Sequence, residues 1–153
     1  MKYHALATAL PAPPVRSFAA LMELYETNFM LMRRLMPGMA AQSGTLVSEG
    51  GDGLPLHVEI IEQGRFTTVV RLFYRLPRED GGVDEAPDLQ VRVYHDARVA
   101  EAVAARLRGR DCSAQGQAGE RCLDVRWRLN RFLYKWLRYL LHRRQRIENA
   151  HPK

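Results

Sequence analysis

The stretch Leu89–Leu107, LQVRVYHDARVAEAVAARL, constrains the fold of this chain more than any other, because two periodicities meet in it. Leu89, Val91, Val93 and His95 fall on one side of an alternating strand, and Gln90, Arg92, Tyr94 and Asp96 on the other. One side is apolar until its last residue. Beyond the Tyr94-His95-Asp96 corner, Ala97, Val99, Ala102, Val103 and Leu107 recur at helical spacing, which predicts a short helix entered through Asp96. A carboxylate there would accept from the free N–H groups of the first turn and suit the positive end of the helix dipole.

The rest of the chain is read outward from that junction. Ser17 is placed to cap a helix over Phe18–Met36, ended by Pro37 and Gly38. Phe18, Leu21, Met22, Tyr25, Phe29, Met32 and Met36 share one side of it, and Leu24, Leu31 and Leu35 widen the apolar sector, so this helix must be largely buried. Asn28 projects into that sector, where an unpaired amide costs about 1–3 kcal/mol, so it is expected to bond a neighbouring backbone. Thr45–Val47 reads as a short strand, and Leu56–Glu62 with Phe66–Leu76 as a hairpin. A three-residue loop, Gln63-Gly64-Arg65, sets Ile60 against Thr68, Val58 against Val70 and Leu56 against Leu72, with Gly64 supplying positive φ; a two-residue loop would mix the faces. The segments PREDGGVDEAP (77–87) and GRDCSAQGQAGE (109–120) have turn composition and no hydrophobic period, and both read as loops.

The last segment carries the clearest helix. Leu129, Phe132, Leu133, Trp136, Leu137, Leu140 and Leu141 recur as on a helix laid against a core, while Arg128, Arg131, Lys135, Arg138, His142 and Arg146 line the opposite side, flanked by Tyr134 and Tyr139. From Val125 to Lys153 nine Lys and Arg stand against one acidic residue, Glu148, a local charge of +8 in a chain of net +6, which leaves −2 on everything else. The basicity belongs to one element. Arginines at successive turns can follow a phosphate backbone and displace its counterions, and tyrosines can stack on unpaired bases, so Arg128, Arg131, Lys135, Arg138 and Arg146 form a candidate surface for nucleic acid or an acidic protein.

A second candidate site gathers polar side chains at the strand corner: Arg92, Tyr94, His95 and Asp96, with Arg71 from a neighbouring strand, where arginine can grip an anion and His95 can move a proton. No phosphate-binding loop, dinucleotide fingerprint, H-E-x-x-H or G-x-S-x-G motif occurs, so no catalytic residues, metal or cofactor are expected, and a binding or regulatory module is favoured over an enzyme. Cys112 and Cys122 lack metal spacing and read as thiols of a cytoplasmic protein. No apolar run approaches the ~18 residues of a membrane span.

The helix YETNFMLMRRLMP, the hairpin HVEIIEQGRFTTVVRL, the junction DLQVRVYHDARVAE and the closing LNRFLYKWLRYLL together resemble the YqiB-like family, a bacterial domain of unknown function. The resemblance covers about Leu21 to Leu141 and implies a shared fold without bringing an activity or catalytic residues; the Gly-rich Arg108–Arg121 region is where this chain departs from the family pattern. The expectation is one α+β domain over 17–146, with 1–16 as an extended lead and 147–153 as a flexible tail. It would hold an antiparallel sheet of three to four strands, with the N- and C-terminal helices on its apolar face and a short third helix beside it.

Overall fold

Ser17 starts the first helix as its side chain predicts: Oγ accepts from the Ala20 N–H at 3.1 Å, and α1 runs Phe18–Leu35 in the computed structural model, which describes residues 17–39, 43–48, 51, 53–107, 110–114 and 119–147. Leu21, Leu24, Tyr25, Asn28, Phe29, Leu31, Met32 and Leu35 are buried along it. Phe18, by contrast, stays 70% exposed, since it precedes the point where the helix meets the sheet layer. The expected lead at 1–16 lies outside the described residues.

Six antiparallel strands follow, β1 Thr45–Val47, β2 His57–Gln63, β3 Thr67–Pro77, β4 Val83–Tyr94, β5 Val99–Leu107 and β6 Arg110–Ser113, each paired with its neighbours in sequence order. The chain then closes with α2, Gly119–His142. The class is α+β, but the sheet has six strands among the described residues where three to four were expected, and the segment expected as a short third helix is a strand.

That third helix is β5. Its buried residues are Ala100, Ala102, Ala105 and Leu107, an alternation interrupted once, where Gln90 faces Ala104 but Val91 faces Ala102 and Val103 bulges out. The inserted residue breaks the period of two in the sequence, and alanine disguises the rest as helix. Small side chains are needed because both helices lie across this strand. His95–Arg98 is accordingly a hairpin turn, closed by the Arg98 N–H on Tyr94 O at 2.9 Å, and Asp96 Oδ1 accepts from the Ala97 N–H at 2.9 Å, capping a turn and no helix.

The other departures are also strands hidden in turn-rich sequence. β3 and β4 extend through PREDGGVDEAP until only residues 78–82 turn, and β6 lies within the Gly-rich 109–120 segment. The β2–β3 hairpin keeps the expected faces but slides by two residues, pairing Val58 with Leu72 and Ile60 with Val70, with Ile61 as a bulge. Its turn is closed by the Gly64 N–H on Thr67 O at 2.8 Å, and Gly64 does not use positive φ.

One face of the sheet is covered. Val58, Val70, Leu72, Tyr74, Leu89, Val91 and Val93 meet Met32, Leu35, Leu129, Phe132, Leu133, Trp136, Leu137 and Leu140 in a single core. Trp136, fully buried, sets its indole edge against Tyr74 at a centroid distance of 5.5 Å and donates to the Tyr74 hydroxyl at 3.3 Å. Asn28 behaves as expected: Nδ2 donates to Asn130 O at 3.2 Å. Asn130 in turn treats β5 as a strand would, its Oδ1 accepting from the Ala102 N–H at 2.7 Å and its Nδ2 donating to Ala102 O at 3.3 Å, where β6 no longer pairs.

After α2 the chain turns back with Arg144 at φ 60, its N–H on Leu141 O and that of Gln145 on Leu140 O, both at 3.0 Å, a Schellman ending with arginine where glycine is usual. Buried Gln145 then bonds the Ser48 hydroxyl, and the Ile147 N–H donates to Leu35 O at 2.8 Å. Ile147, the first residue of the expected tail, is therefore core, and the remainder of that tail lies outside the described residues.

Candidate functional site

The five residues expected at the strand corner separate into three places. Arg71, from the middle of β3, is on the uncovered face of the sheet, where it meets Glu85 at 3.0 Å and Asp88 at 3.2 Å, and its Nε lies 3.3 Å from Glu59. Its guanidinium also rests on Phe73, 3.9 Å from the ring centroid, and His57 stacks on the same ring at a centroid distance of 5.4 Å. Three carboxylates occupy the fork that an incoming anion would need. Burial pushes the Asp88 carboxyl up, against the pull of Arg71, and burial together with Arg75 holds the His57 imidazole below the usual histidine range.

Arg92 and Tyr94 lie along the same face. Arg92 Nη1 reaches the Tyr94 hydroxyl at 3.5 Å, which raises the guanidinium's affinity for its proton, and that hydroxyl donates to Glu101 at 3.1 Å. The second oxygen of Glu101 accepts from Arg126 of α2 at 3.1 Å, and Arg126 Nε contacts the Cys122 thiol at 3.3 Å. Tyr25 of α1 joins this group; burial pushes its phenol up to about 12, with Arg126 opposing. The group ties both helices to the end of the sheet. Neither Glu101 nor Arg126 was singled out from sequence, because both were read as unremarkable positions of helices.

His95 turns away from Arg92 and Tyr94. Its Nε2 lies 2.7 Å from the Thr68 hydroxyl, which donates its own proton to Gln63 Oε1, while Gln63 Nε2 donates to Met39 O at 2.9 Å. A hydroxyl has one proton to give, so the network assigns a proton to His95 Nε2 and leaves Nδ1 as the basic nitrogen. Burial holds this imidazole below the usual histidine range; Asp96 opposes that shift and Arg33 reinforces it. The ring borders a cavity of about 220 Å³ between the end of α1 and the β4–β5 turn, floored by Phe29, Met36, Pro37 and Met39 and rimmed by Arg33, His95 and Arg98. Sequence reasoning missed Arg33 and Arg98 here. Only the recognition of His-Asp-Ala-Arg as a four-residue turn between two alternating runs would have found Arg98.

Along α2, Arg128, Lys135, Arg138 and His142 are exposed and Arg131 is half-buried, whereas Arg146, expected on the same helical ridge, is exposed beyond the turn that ends the helix. Arg131 and Arg138 lie over the Tyr134 ring, at 5.2 and 5.5 Å from its centroid, and Arg138 donates to its hydroxyl at 2.9 Å. Arg143 covers Tyr139 in the same manner at 5.5 Å. Among the described residues no carboxylate pairs with Arg128, Arg131, Lys135 or Arg138, whereas Arg71, Arg75, Arg78, Arg106 and Arg126 each face one. Also among the described residues, no three His, Cys, Asp or Glu side chains converge as a metal site, Cys112 and Cys122 are free thiols, and no helix is long and apolar enough to cross a membrane.

Comparison with known proteins places this architecture. Residues 31–146 match the family model described as a protein of unknown function, DUF1249. The chain is 34% identical over 128 residues to the uncharacterized protein YqiB of Escherichia coli K12, covering 81% of this chain and 88% of that one, and the same holds for the YqiB of the O157:H7 strain. No solved structure matches. The matched span takes in the last turn of α1, the whole sheet and α2, so this chain belongs to the DUF1249 family of proteins of unknown function.

Proposed function

We propose that this protein is a binding module whose partner is single-stranded nucleic acid, held along the exposed ridge of α2, and that it works without catalysis. The observation that carries this reading is the contrast in charge pairing: Arg71, Arg75 and Arg106 of the sheet and Arg78 of its β3–β4 turn are matched to carboxylates, while Arg128, Arg131, Lys135 and Arg138 have none among the described residues. Charges left unmatched along about 15 Å of helix are suited to a polyanion. Because Tyr134 and Tyr139 already carry guanidiniums, bases would stack on the arginine planes held there and not on the tyrosines themselves. Four contacts predict a salt slope of about −3 for a single strand.

The test is fluorescence anisotropy of a labelled single-stranded RNA against the full chain, with R131E, K135E and R138E as single substitutions and combined. Binding should weaken steeply with salt and fall with each reversal, in proportion to the lost contacts. Equal binding by the triple variant and the parent removes the ridge from the interface, and tighter binding of polyglutamate than of RNA assigns it to an acidic protein instead.

A further inference from the structure

We propose that the cavity between the end of α1 and the β4–β5 turn binds a small organic anion, a carboxylate or phosphate monoester carried on a compact aryl body. The site is separate from the α2 ridge and keeps only His95 of the corner site expected from the sequence, with Arg33 and Arg98 in place of Arg92 and Arg71. Its floor is apolar, Phe29, Met36 and Met39 each being buried with a surface turned to the cavity. Its rim is cationic, with Arg33, Arg98 and the imidazole of His95. A cavity of about 220 Å³, open on one side, has room for a compact aryl anion such as phenyl phosphate.

Both guanidiniums are held by the floor. Arg33 lies 5.9 Å and Arg98 5.1 Å from the centroid of the Phe29 ring, and among the described residues neither has a carboxylate partner. Two forks over one aromatic ring form a recognition element for a planar anion, since each can give paired charge-assisted hydrogen bonds. The one carboxylate that acts on His95, Asp96, is engaged with the Ala97 N–H.

Arg98 supplies the second, independent observation. It occupies the last position of the β4–β5 turn at φ 59, a left-handed conformation that glycine adopts freely and that costs other residues about 1–2 kcal/mol. The turn itself would be better served by glycine. What arginine adds there is a guanidinium at the cavity rim, whereas Arg144, the other non-glycine residue at positive φ among the described residues, serves the end of α2. His95 completes the site with a fixed tautomer: Nε2 is committed to Thr68, and Nδ1 can take up a proton when an anion arrives.

Titration of the full chain with phenyl phosphate, benzoate, phenol and inorganic phosphate, read by calorimetry and by the His95 ring resonances, tests this directly. Phenyl phosphate and benzoate should bind and shift the His95 signals toward the protonated ring, while phenol and inorganic phosphate bind about tenfold or more weakly, each lacking half of the recognition. R98G separates site from scaffold. It should raise the thermal midpoint by relieving the backbone while lowering phenyl phosphate affinity about tenfold, and R33Q should lower affinity similarly at an unchanged midpoint. The R131E/K135E/R138E variant should bind phenyl phosphate as the parent does. The proposal is overturned if no aryl anion perturbs His95, if R98G binds as well as the parent, if phenol or inorganic phosphate matches phenyl phosphate, or if ridge reversal abolishes binding.

Discussion

Asn130 gives the sharpest test of how the helix layer is joined to the sheet. Its amide is fully buried, accepts from the Ala102 N–H at 2.7 Å, and donates to Ala102 O at 3.3 Å and to Arg126 O at 2.8 Å. Asn130→Ala leaves both polar groups of buried Ala102 without a partner. At about 1–3 kcal/mol for each stranded group, the two together should cost about 2–6 kcal/mol, which for a chain of this length lowers the thermal midpoint by about 4–24 °C. Asn130→Asp has nearly the same shape but turns an anionic oxygen toward two carbonyls. Its carboxyl pKa must rise on folding, so the penalty relative to the parent is greatest above that raised value and shrinks as pH falls through it, when a protonated oxygen can donate again. Melting curves followed by Trp127 and Trp136 emission, compared with the parent at each pH, give both quantities. Amide exchange at Ala102 gives the local one: slow in the parent and fast in Asn130→Ala. A midpoint within about 2 °C of the parent for Asn130→Ala, or an Asn130→Asp penalty that ignores pH, would refute the reasoning that a side-chain amide stands in for a missing strand.

Two further outcomes follow from features already described. Gly51 sits at φ 77, and a Cβ there would come within 2.8 Å of Arg143 O and 2.9 Å of Arg144 O, so Gly51→Ala should destabilise by about 2–3 kcal/mol in urea denaturation, whereas Arg144→Gly at the neighbouring Schellman position should stabilise by about 1 kcal/mol. The pH dependence has a definite sign: His57 and His95 are held below their unfolded value near 6.5, so the stability they confer is complete above that value and is lost as pH falls toward their folded pKa values. The thermal midpoint should drop between about pH 7 and pH 5, with both half-buried imidazoles titrating below free histidine by NMR; a flat midpoint over that window contradicts the depression of their pKa values. Asp88, raised by burial, acts in the opposite sense and only at lower pH.

The sequence was most legible where one residue type repeats at one period. α2 announced itself through Leu129, Phe132, Leu133, Trp136, Leu137 and Leu140, all of them buried, and Ser17 and Asn28 each found the kind of partner their chemistry required. It misled where tertiary context overrode local preference. β5 is alanine-rich because two helices cross it, and its bulge at Val103 removed the alternation that identifies a strand. The expected corner site is divided by the alternation of β4 itself, which sends His95 toward Thr68 and α1 while Arg92 and Tyr94 stay on the open face. The charged ridge was readable since a helical wheel needs no partner, whereas the Arg33–Arg98 cavity joins residues sixty-five positions apart and required the fold itself.

The meander has a consequence for how this chain is made. Every strand pairs with the one before it, so the sheet can assemble by successive hairpins as residues 45–113 are synthesised. The layer that hides its greasy side is α2, which comes after all of them, and the Gln145 and Ile147 contacts that clip it to Ser48 and Leu35 come later still. A nascent chain at that stage displays Leu72, Leu89, Val91 and Val93 to the ribosome's surroundings, shielded by α1 alone. Truncation within α2 should therefore yield a sticky sheet that chaperones capture, and a ribosome stalled there would hold the molecule in its most aggregation-prone form.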